Sequence, residues 1–142
     1  MEIKEKSKRI TESIMHGSSG TDHYYKHMGP IMLSDGSKAV AETGQCYWLM
    51  DILASYMMTG GVPKDSLVIW RVYRTLKEGQ TMDQRLRAGF GPVKVTAAHD
   101  WDKDMPIDQY VMQEVLASNI DFDGPYLQMY SRENVIFMPS EN

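Results

Sequence analysis

The chain has 142 residues, which fits one domain able to bury about two-thirds of its unfolded surface. Its single cysteine excludes an internal disulfide and fits a reducing, cytoplasmic location. The net charge of −4 divides into −1 over residues 1–70, +4 over 71–94 and −7 over 95–142, so the acidic final third argues against duplex nucleic acid as a partner.

The N-terminal segment is charged and contains no signal-peptide apolar region, and no run in the chain is long enough to span a membrane. Residues 2–15 are predicted to form an amphipathic helix, because three isoleucines seven and four residues apart share one stripe. We therefore divide the chain into an N-terminal helical extension, 1–19, and a single α+β domain, 20–142. The narrow stripe either docks on the domain or pairs with another chain, so homo-oligomerisation through residues 1–15 is one expectation.

The next segment is predicted to contain a helical turn over 21–27, capped by Thr21. A short strand over 31–33 follows. Residues 34–37 contain Asp-Gly, the pair typical of a tight hairpin turn, so 38–41 is predicted to be the returning strand. Thr43 is a candidate cap for the helix that comes after it.

Residues 47–56 are almost all apolar and repeat at helical spacing on two faces, which predicts a buried helix lying on a sheet. Gly60 and Gly61 end this helix, and Pro63 prevents it from restarting. A buried helix normally excludes a carboxylate, so Asp51 is expected to be paired, at a helix end, or facing a pocket.

Residues 67–75 alternate in the manner of a strand and are rich in β-branched and aromatic side chains. Residues 77–92 are predicted to be a long excursion, which in a compact domain is often functional. A strand over 93–98, an acidic loop over 99–106 and a helix over 107–118 are predicted to follow.

A final hairpin is predicted from strands over 127–131 and 135–138, with its turn at 132–134. The predicted fold class is therefore α+β: an antiparallel sheet of about five to six strands packed on one central buried helix, plus an N-terminal helix.

Catalytic signatures are weak. On a helix, His23 and His27 would share a face suited to a metal ion, with a nearby aspartate as a further ligand. The alternating Asp100, Asp102 and Asp104 begin like a calcium loop, but the required glycine and glutamate are absent. Cys46 lies on the apolar face of the helix, where burial raises a thiol pKa, so it is predicted to be a core residue. We predict no catalytic residue, metal or cofactor.

A binding pocket is the better-supported prediction, because aromatic faces beside arginines are how proteins commonly hold nucleobases and phosphates. The alternative is that the aromatic residues, Trp48 and Trp70 above all, simply build the core. The predicted ligand-binding residues are Tyr24, Tyr25, His27, Trp48, Asp51, Tyr56, Trp70, Arg71, Arg74, Arg85 and Arg87.

Several ordered motifs also resemble a known family. They are Gly20-Thr21-x-x-Tyr24-Tyr25-Lys26-His27, Ser34-Asp35-Gly36 followed by Ala41-Glu42, Tyr47-Trp48-Leu49-Met50-Asp51-x-x-Ala54-Ser55-Tyr56, and the closing Pro139-Ser140-Glu141. The chain resembles a family of small bacterial and phage proteins of unknown function. The resemblance implies one compact domain ending at the C-terminal hairpin, and it transfers no activity. Residues 1–15 extend ahead of the expected family start, and the 77–92 excursion is longer than expected.

These observations predict a non-enzymatic binding protein. The narrower expectation, drawn from small phage proteins as a class, is a phage-encoded anti-defence factor that binds a host effector protein or sequesters a nucleotide-like signal. The alternative is a small hydrolase or metal-dependent enzyme that uses His27 and Asp51 to move protons.

Overall fold

The computed structural model describes residues 9–11, 14–15 and 21–141. A seven-stranded sheet and three α-helices account for most of the described residues. In chain order the elements are β1 (Tyr24–Met28), β2 (Ile31–Ser34), α1 (Asp35–Thr43), α2 (Tyr47–Thr59), β3 (Val68–Arg74), α3 (Met82–Ala88), β4 (Val93–Asp102), β5 (Met105–Val115), β6 (Tyr126–Arg132), β7 (Val135–Phe137) and a 3₁₀ turn (Pro139–Glu141).

The strands lie in the order β1-β2-β7-β6-β3-β4-β5. Five of the six neighbouring pairs are antiparallel, and β2 with β7 is the one parallel pair. The sheet is therefore larger than the five to six strands predicted. Its two outermost strands are β1 and β5.

The first motif forms a strand rather than the predicted helical turn. Residues 24–28 pair with β2, and the Thr21 hydroxyl donates to the carbonyl of His23 and accepts from the N–H of Asp35, so it caps no helix over 21–27. On a strand, His23 and His27 stand about 13 Å apart, too far for one metal ion. Within the described part of the chain, no group of three His, Cys, Asp or Glu side chains could hold a metal.

The predicted turn over 34–37 and returning strand over 38–41 are wrong, because Ser34 is the N-cap of helix α1. Its hydroxyl accepts a hydrogen bond from the backbone N–H of Ser37, the usual arrangement of a helix N-cap. The ion pair between Lys38 and Glu42 (2.7 Å) joins successive turns of this helix. Thr43 is the last residue of α1 and caps nothing, since α2 begins after Cys46.

The side-chain carboxylate of Glu141 closes the start of α1. It accepts hydrogen bonds from the Ser34 hydroxyl (2.6 Å) and from the backbone N–H groups of Gly36 (3.0 Å) and Met138 (2.8 Å). A β-carbon on Gly36 would lie 2.6 Å from a Glu141 carboxylate oxygen, so only glycine leaves room for this contact. The Ser-Asp-Gly and Pro-Ser-Glu motifs therefore meet as one structural unit.

Residues 47–56 form a helix, α2, as predicted, although Tyr47, Asp51 and Ser55 are exposed and the burial is confined to one side. Gly60 ends it in the left-handed conformation (φ 81°), which glycine adopts without strain. Its buried residues belong to one apolar core shared with the sheet, and they are Leu49, Met50, Leu53 and Ala54. Cys46 is fully buried, as predicted, and burial raises the pKa of its thiol to about 12.

The 77–92 excursion contains helix α3, which the sequence analysis missed. Thr81 accepts a hydrogen bond from the N–H of Gln84, and the Gln84 side chain accepts one from the N–H of Thr81. This reciprocal pair is a capping box, which starts the helix. Gly89 ends the helix in the left-handed conformation (φ 77°).

Strands β4 and β5 form one long hairpin, so the predicted acidic loop over 99–106 and helix over 107–118 are both wrong. Residues 99–108 continue past the last pairing of β4 with β3, at Ala98, and we call them the arm. The pairing register shifts between Ala97 and Ala98, and Asp108 has a positive φ of 51°. Such a bulge bends a hairpin.

The final hairpin of β6 and β7 confirms the prediction for the end of the chain, with Glu133 and Asn134 in the turn at positive φ. The predicted helix over 2–15 lies largely outside the described residues. At Ile10 the chain instead makes a parallel bridge with Phe122, and Ile10 is fully buried.

Candidate binding site

A groove of about 370 Å³ lies between α2 and the outermost strand β5. One residue of β5, Gln113, forms one wall and accepts a hydrogen bond from the Tyr56 hydroxyl (2.8 Å). The ring of Tyr56 contacts Trp70 of β3, with centroids 6.2 Å apart. The groove is lined by Asp51, Ile52, Ser55, Tyr56, Thr59 and Gln113.

Asp51 lies at the edge of this groove and also contacts another side chain, which are two of the three alternatives expected for it. Its Oδ1 is 2.8 Å from Nε2 of His27, and 52% of the Asp51 side chain remains exposed. The Nε2 atom is buried, and its approach to Asp51 is close without being a well-aligned hydrogen bond. The imidazole also stacks on Tyr47 at 6.1 Å.

A series of polar contacts continues from Tyr47 along α1 to β1. The Tyr47 hydroxyl donates to Glu42 (3.4 Å), and the Lys38 ammonium lies 4.5 Å from the centre of the Tyr25 ring. The hydrogen bond from Lys38 lowers the pKa of Glu42, and the hydrogen bond to Asp35 raises the pKa of Tyr25. Tyr25 is therefore a structural contact of α1 rather than part of the groove.

Arg71 lies on the opposite face of the sheet from Trp70, and its guanidinium is fully engaged. It stacks between Trp101 (4.5 Å) and Tyr126 (4.1 Å) and donates to the carbonyl of Lys103 (2.6 Å). Arg71 pairs with Thr96 in the β3–β4 register, and Lys103 lies seven residues after Thr96. A straight strand would place Lys103 about 23 Å from Thr96, which is farther than an arginine side chain can reach. The arm therefore folds back over this face, and Arg71 holds it there.

Arg74 and Arg85 also donate hydrogen bonds to backbone carbonyls of this chain. The guanidinium of Arg74 donates to the carbonyls of Gly124 and Phe122 and lies 4.2 Å from the Phe122 ring. Arg85 is fully buried and donates to the carbonyl of Pro92 (3.2 Å). Burial lowers the pKa of both guanidinium groups.

The remaining predicted site residues do not converge on one pocket. Trp70 is completely buried and donates to the hydroxyl of Ser131 (2.8 Å), so it is a core residue. Trp48 donates to Asn119 (2.8 Å) and lines a second recess, of about 430 Å³, with Phe90 and Lys77. Tyr24 lines a third recess near the C-terminal turn, and Arg87 is exposed on α3. Of the eleven predicted residues, the structure brings His27, Asp51 and Tyr56 together.

The outer side of β5 is the largest feature that the sequence analysis missed. No described strand pairs with this side of the eleven-residue strand. Its exposed apolar side chains include Met105 (68% exposed) and Met112 (59%), together with Ile107 and Tyr110. The alternation of Val111, Gln113 and Val115 was the available sequence signal, and the bulge near Asp108 obscured it.

The sequence matches the model of DUF6876, a family of unknown function, over residues 9–142. The chain belongs to this family. The match begins earlier than the family start expected from the resemblance, so residues 9–15 are part of the family region. No curated protein and no solved structure matches the chain.

Membership of the DUF6876 family brings no activity with it. In the described part of the chain, no helix combines the length and apolar character needed to cross a membrane.

Proposed function

We propose that the protein is a non-enzymatic binding protein that recognises another protein by adding an extended segment of it to β5. The observation that carries this proposal is the exposed outer edge of β5, with two methionines more than half exposed. An unpaired strand edge offers a row of N–H and C=O groups to an incoming strand. Methionine side chains adapt to differently shaped partners.

The arginine contacts favour a protein over a nucleotide-like ligand. Arg71, Arg74 and Arg85 supply half of the basic residues in the +4 segment, and each already bonds to this chain. A phosphate would have to displace those contacts. A host effector bound by an anti-defence factor, in the cytoplasm, is one partner of the proposed kind. Self-association through residues 1–15 has less support, since Ile10 is buried within its own chain.

A library of random heptapeptides displayed on phage tests the proposal. Selected peptides are expected to slow hydrogen exchange at the backbone amides of residues 105–115. A double variant, Met105→Ser with Met112→Ser, should bind at least ten-fold more weakly, because burying each methionine is worth about 1.5 kcal/mol or more. The matched control is Met82→Ser with Leu86→Ser, which removes two exposed apolar side chains from α3 instead.

Equal binding by the β5 variant, protection of amides elsewhere, or no selected peptide would refute strand addition. Circular dichroism of both double variants shows whether the fold is intact.

A second candidate, hydrolysis using His27 and Asp51, is favoured by their 2.8 Å contact. Ser55 lies one turn after Asp51 in the same groove, but the nitrogen that would accept its proton faces Asp51. Turnover of nucleotide and carboxylic esters, with and without added Zn²⁺ or Mg²⁺, would have to disappear in His27→Gln. No turnover by the unmodified protein would remove this candidate.

A further inference from the structure

The groove between α2 and β5 lies beside the position that a strand added to β5 would occupy, so some side chains of the added strand would point into it. Successive side chains of a strand point to opposite faces, so every second one would face α2. This inference rests on the proposed strand addition, and it concerns which side chain the groove accepts.

The charge of the groove is negative. Asp51 is the one charged residue among those lining it, and the other five are neutral. Strand β5 itself contains Asp108 and Glu114 and no lysine or arginine. Among the described residues, no lysine or arginine lines the groove, and Lys94 of the neighbouring strand is opposite Glu114 in the β4–β5 register.

We propose that the groove binds a lysine or arginine side chain of the added strand, with the Asp51 carboxylate as its counter-ion. Asp51 is half exposed, so it can contact a cation while His27 remains behind it. The Tyr56 hydroxyl donates to Gln113, which leaves its oxygen free to accept a hydrogen bond from the incoming cation. The aliphatic part of that side chain would lie along Ile52.

The carboxylates of Asp51 and β5 disfavour two other occupants of this edge, an acidic segment and a second copy of the chain. An acidic segment would be repelled by Asp51 and by the carboxylates of β5. A second copy pairing edge to edge through β5 would bring two acidic strands together with no basic residue between them. A partner segment with alternating apolar and basic residues complements both the methionines of the edge and the groove.

The test compares the sequences that the heptapeptide library yields on four proteins: the unmodified chain, Asp51→Asn, Asp51→Lys and the control Asp65→Asn. Asp65 is an exposed aspartate that does not line the groove. We expect the unmodified chain and the control to select lysine or arginine at one fixed position, with at least ten-fold preference over glutamate in resynthesised peptides. Asp51→Asn should lose most of that preference, and Asp51→Lys should reverse it.

The outcomes separate this inference from the function on which it depends. Peptides that protect β5 but show no basic preference, or the same preference on Asp51→Lys, would overturn the inference and leave strand addition standing. Peptides that bind the β5 double variant as well as the unmodified chain, or a failure to select any peptide, would overturn both. The isosteric Asp51→Asn keeps the comparison valid should Asp51→Lys not fold.

Discussion

Replacing Gly36 with alanine should destabilise this protein, although the same change inside a helix is ordinarily favourable by about 1 kcal/mol. The added methyl group would lie 2.6 Å from a carboxylate oxygen of Glu141 and 2.9 Å from Cγ of Met138. The methionine side chain is flexible and can move. The carboxylate cannot move without losing its hydrogen bonds.

The magnitude follows from the three donors that Glu141 satisfies. Hydrogen bonds to a charged group contribute about 1.5–3 kcal/mol each, and a donor left unpaired costs about as much. The Ser34 hydroxyl retains Ser37 as a neighbour at 3.2 Å, and the partly exposed Glu141 carboxylate can be hydrated once displaced, so we expect the displacement to cost about as much as one of the three bonds, about 2–3 kcal/mol. Subtracting the gain in helix propensity leaves Gly36→Ala destabilising by about 1–2 kcal/mol.

A double-mutant cycle with Glu141→Ala isolates this contact. Glu141→Ala removes the carboxylate that the methyl group would displace, so Gly36→Ala in that background should stabilise by about 0.5–1 kcal/mol. The sign of the glycine substitution thus reverses between the two backgrounds. Urea unfolding followed by tryptophan fluorescence measures all four free energies of unfolding. A stabilising Gly36→Ala in the unmodified chain, or the same effect in both backgrounds, would refute the reasoning.

Three further predictions concern other contacts. The hydrogen bond from the N–H of Asp22 lowers the pKa of Asp35, so the ionised carboxylate stabilises the fold fully above the unfolded pKa of about 3.9, and this stabilisation is lost as pH falls through the lower folded value. Asp35→Asn should therefore reduce the loss of stability between pH 5 and pH 3 in acid titrations. An unchanged loss would contradict this prediction. The Cys46 thiol should react with a thiol-specific dye only at the rate of global unfolding, and rapid labelling of the native protein would show that the site opens locally. A lysine at position 71 cannot reproduce the stacking or the forked donors of Arg71, so in Arg71→Lys the arm should be cleaved rapidly by proteases while the circular dichroism of the sheet is retained. Proteolysis at the rate of the unmodified protein would mean that Arg71 does not hold the arm.

Helices and strands that bury an apolar face were predictable from the sequence, because burial of one face makes apolar residues recur at the helical or the alternating spacing. Helix α2 and strand β3 follow this rule, and the helical and alternating patterns located both. Strand β5 is exposed on most of its residues, and its core face is short, limited to residues 111–115, so the prediction of a helix was wrong. A bulge added to the difficulty by shifting the alternation by one residue.

Helices α1 and α3 were not predicted, although the sequence of each contains a pattern that is typical of a helix. Ser-Asp-Gly occurs both in tight turns and at helix starts, and the later Lys38 and Glu42, four residues apart, favoured the helix. The capping box of Thr81 and Gln84 marked the start of α3 in the same way. The role of Glu141 had no local signal, because its partners at residues 34 and 36 are more than 100 positions away.

For the site, Asp51 meets two of the three expected alternatives, since it contacts His27 and lines a groove, but its side chain is half exposed and not buried within the helix packing. Sequence proximity misled the assignment of the arginines. Neighbouring residues on a strand point to opposite faces, so Arg71 stacks beneath the arm while Trp70 lies in the core. The charge of a segment does not reveal which of its cations are already paired.

By itself, the sequence determined the single cysteine, the charge asymmetry, the helix over 47–56 and the alternating strand over 67–75, because composition and periodicity are properties of the chain alone. Only the tertiary structure decided that β5 lies at the edge of the sheet, that α2 borders it with a groove, and that three arginines bond internally. Those facts depend on strand order and on contacts between distant residues, which no local pattern encodes. The proposed binding surface therefore arises from topology, and the residues that form it are unremarkable when read one at a time.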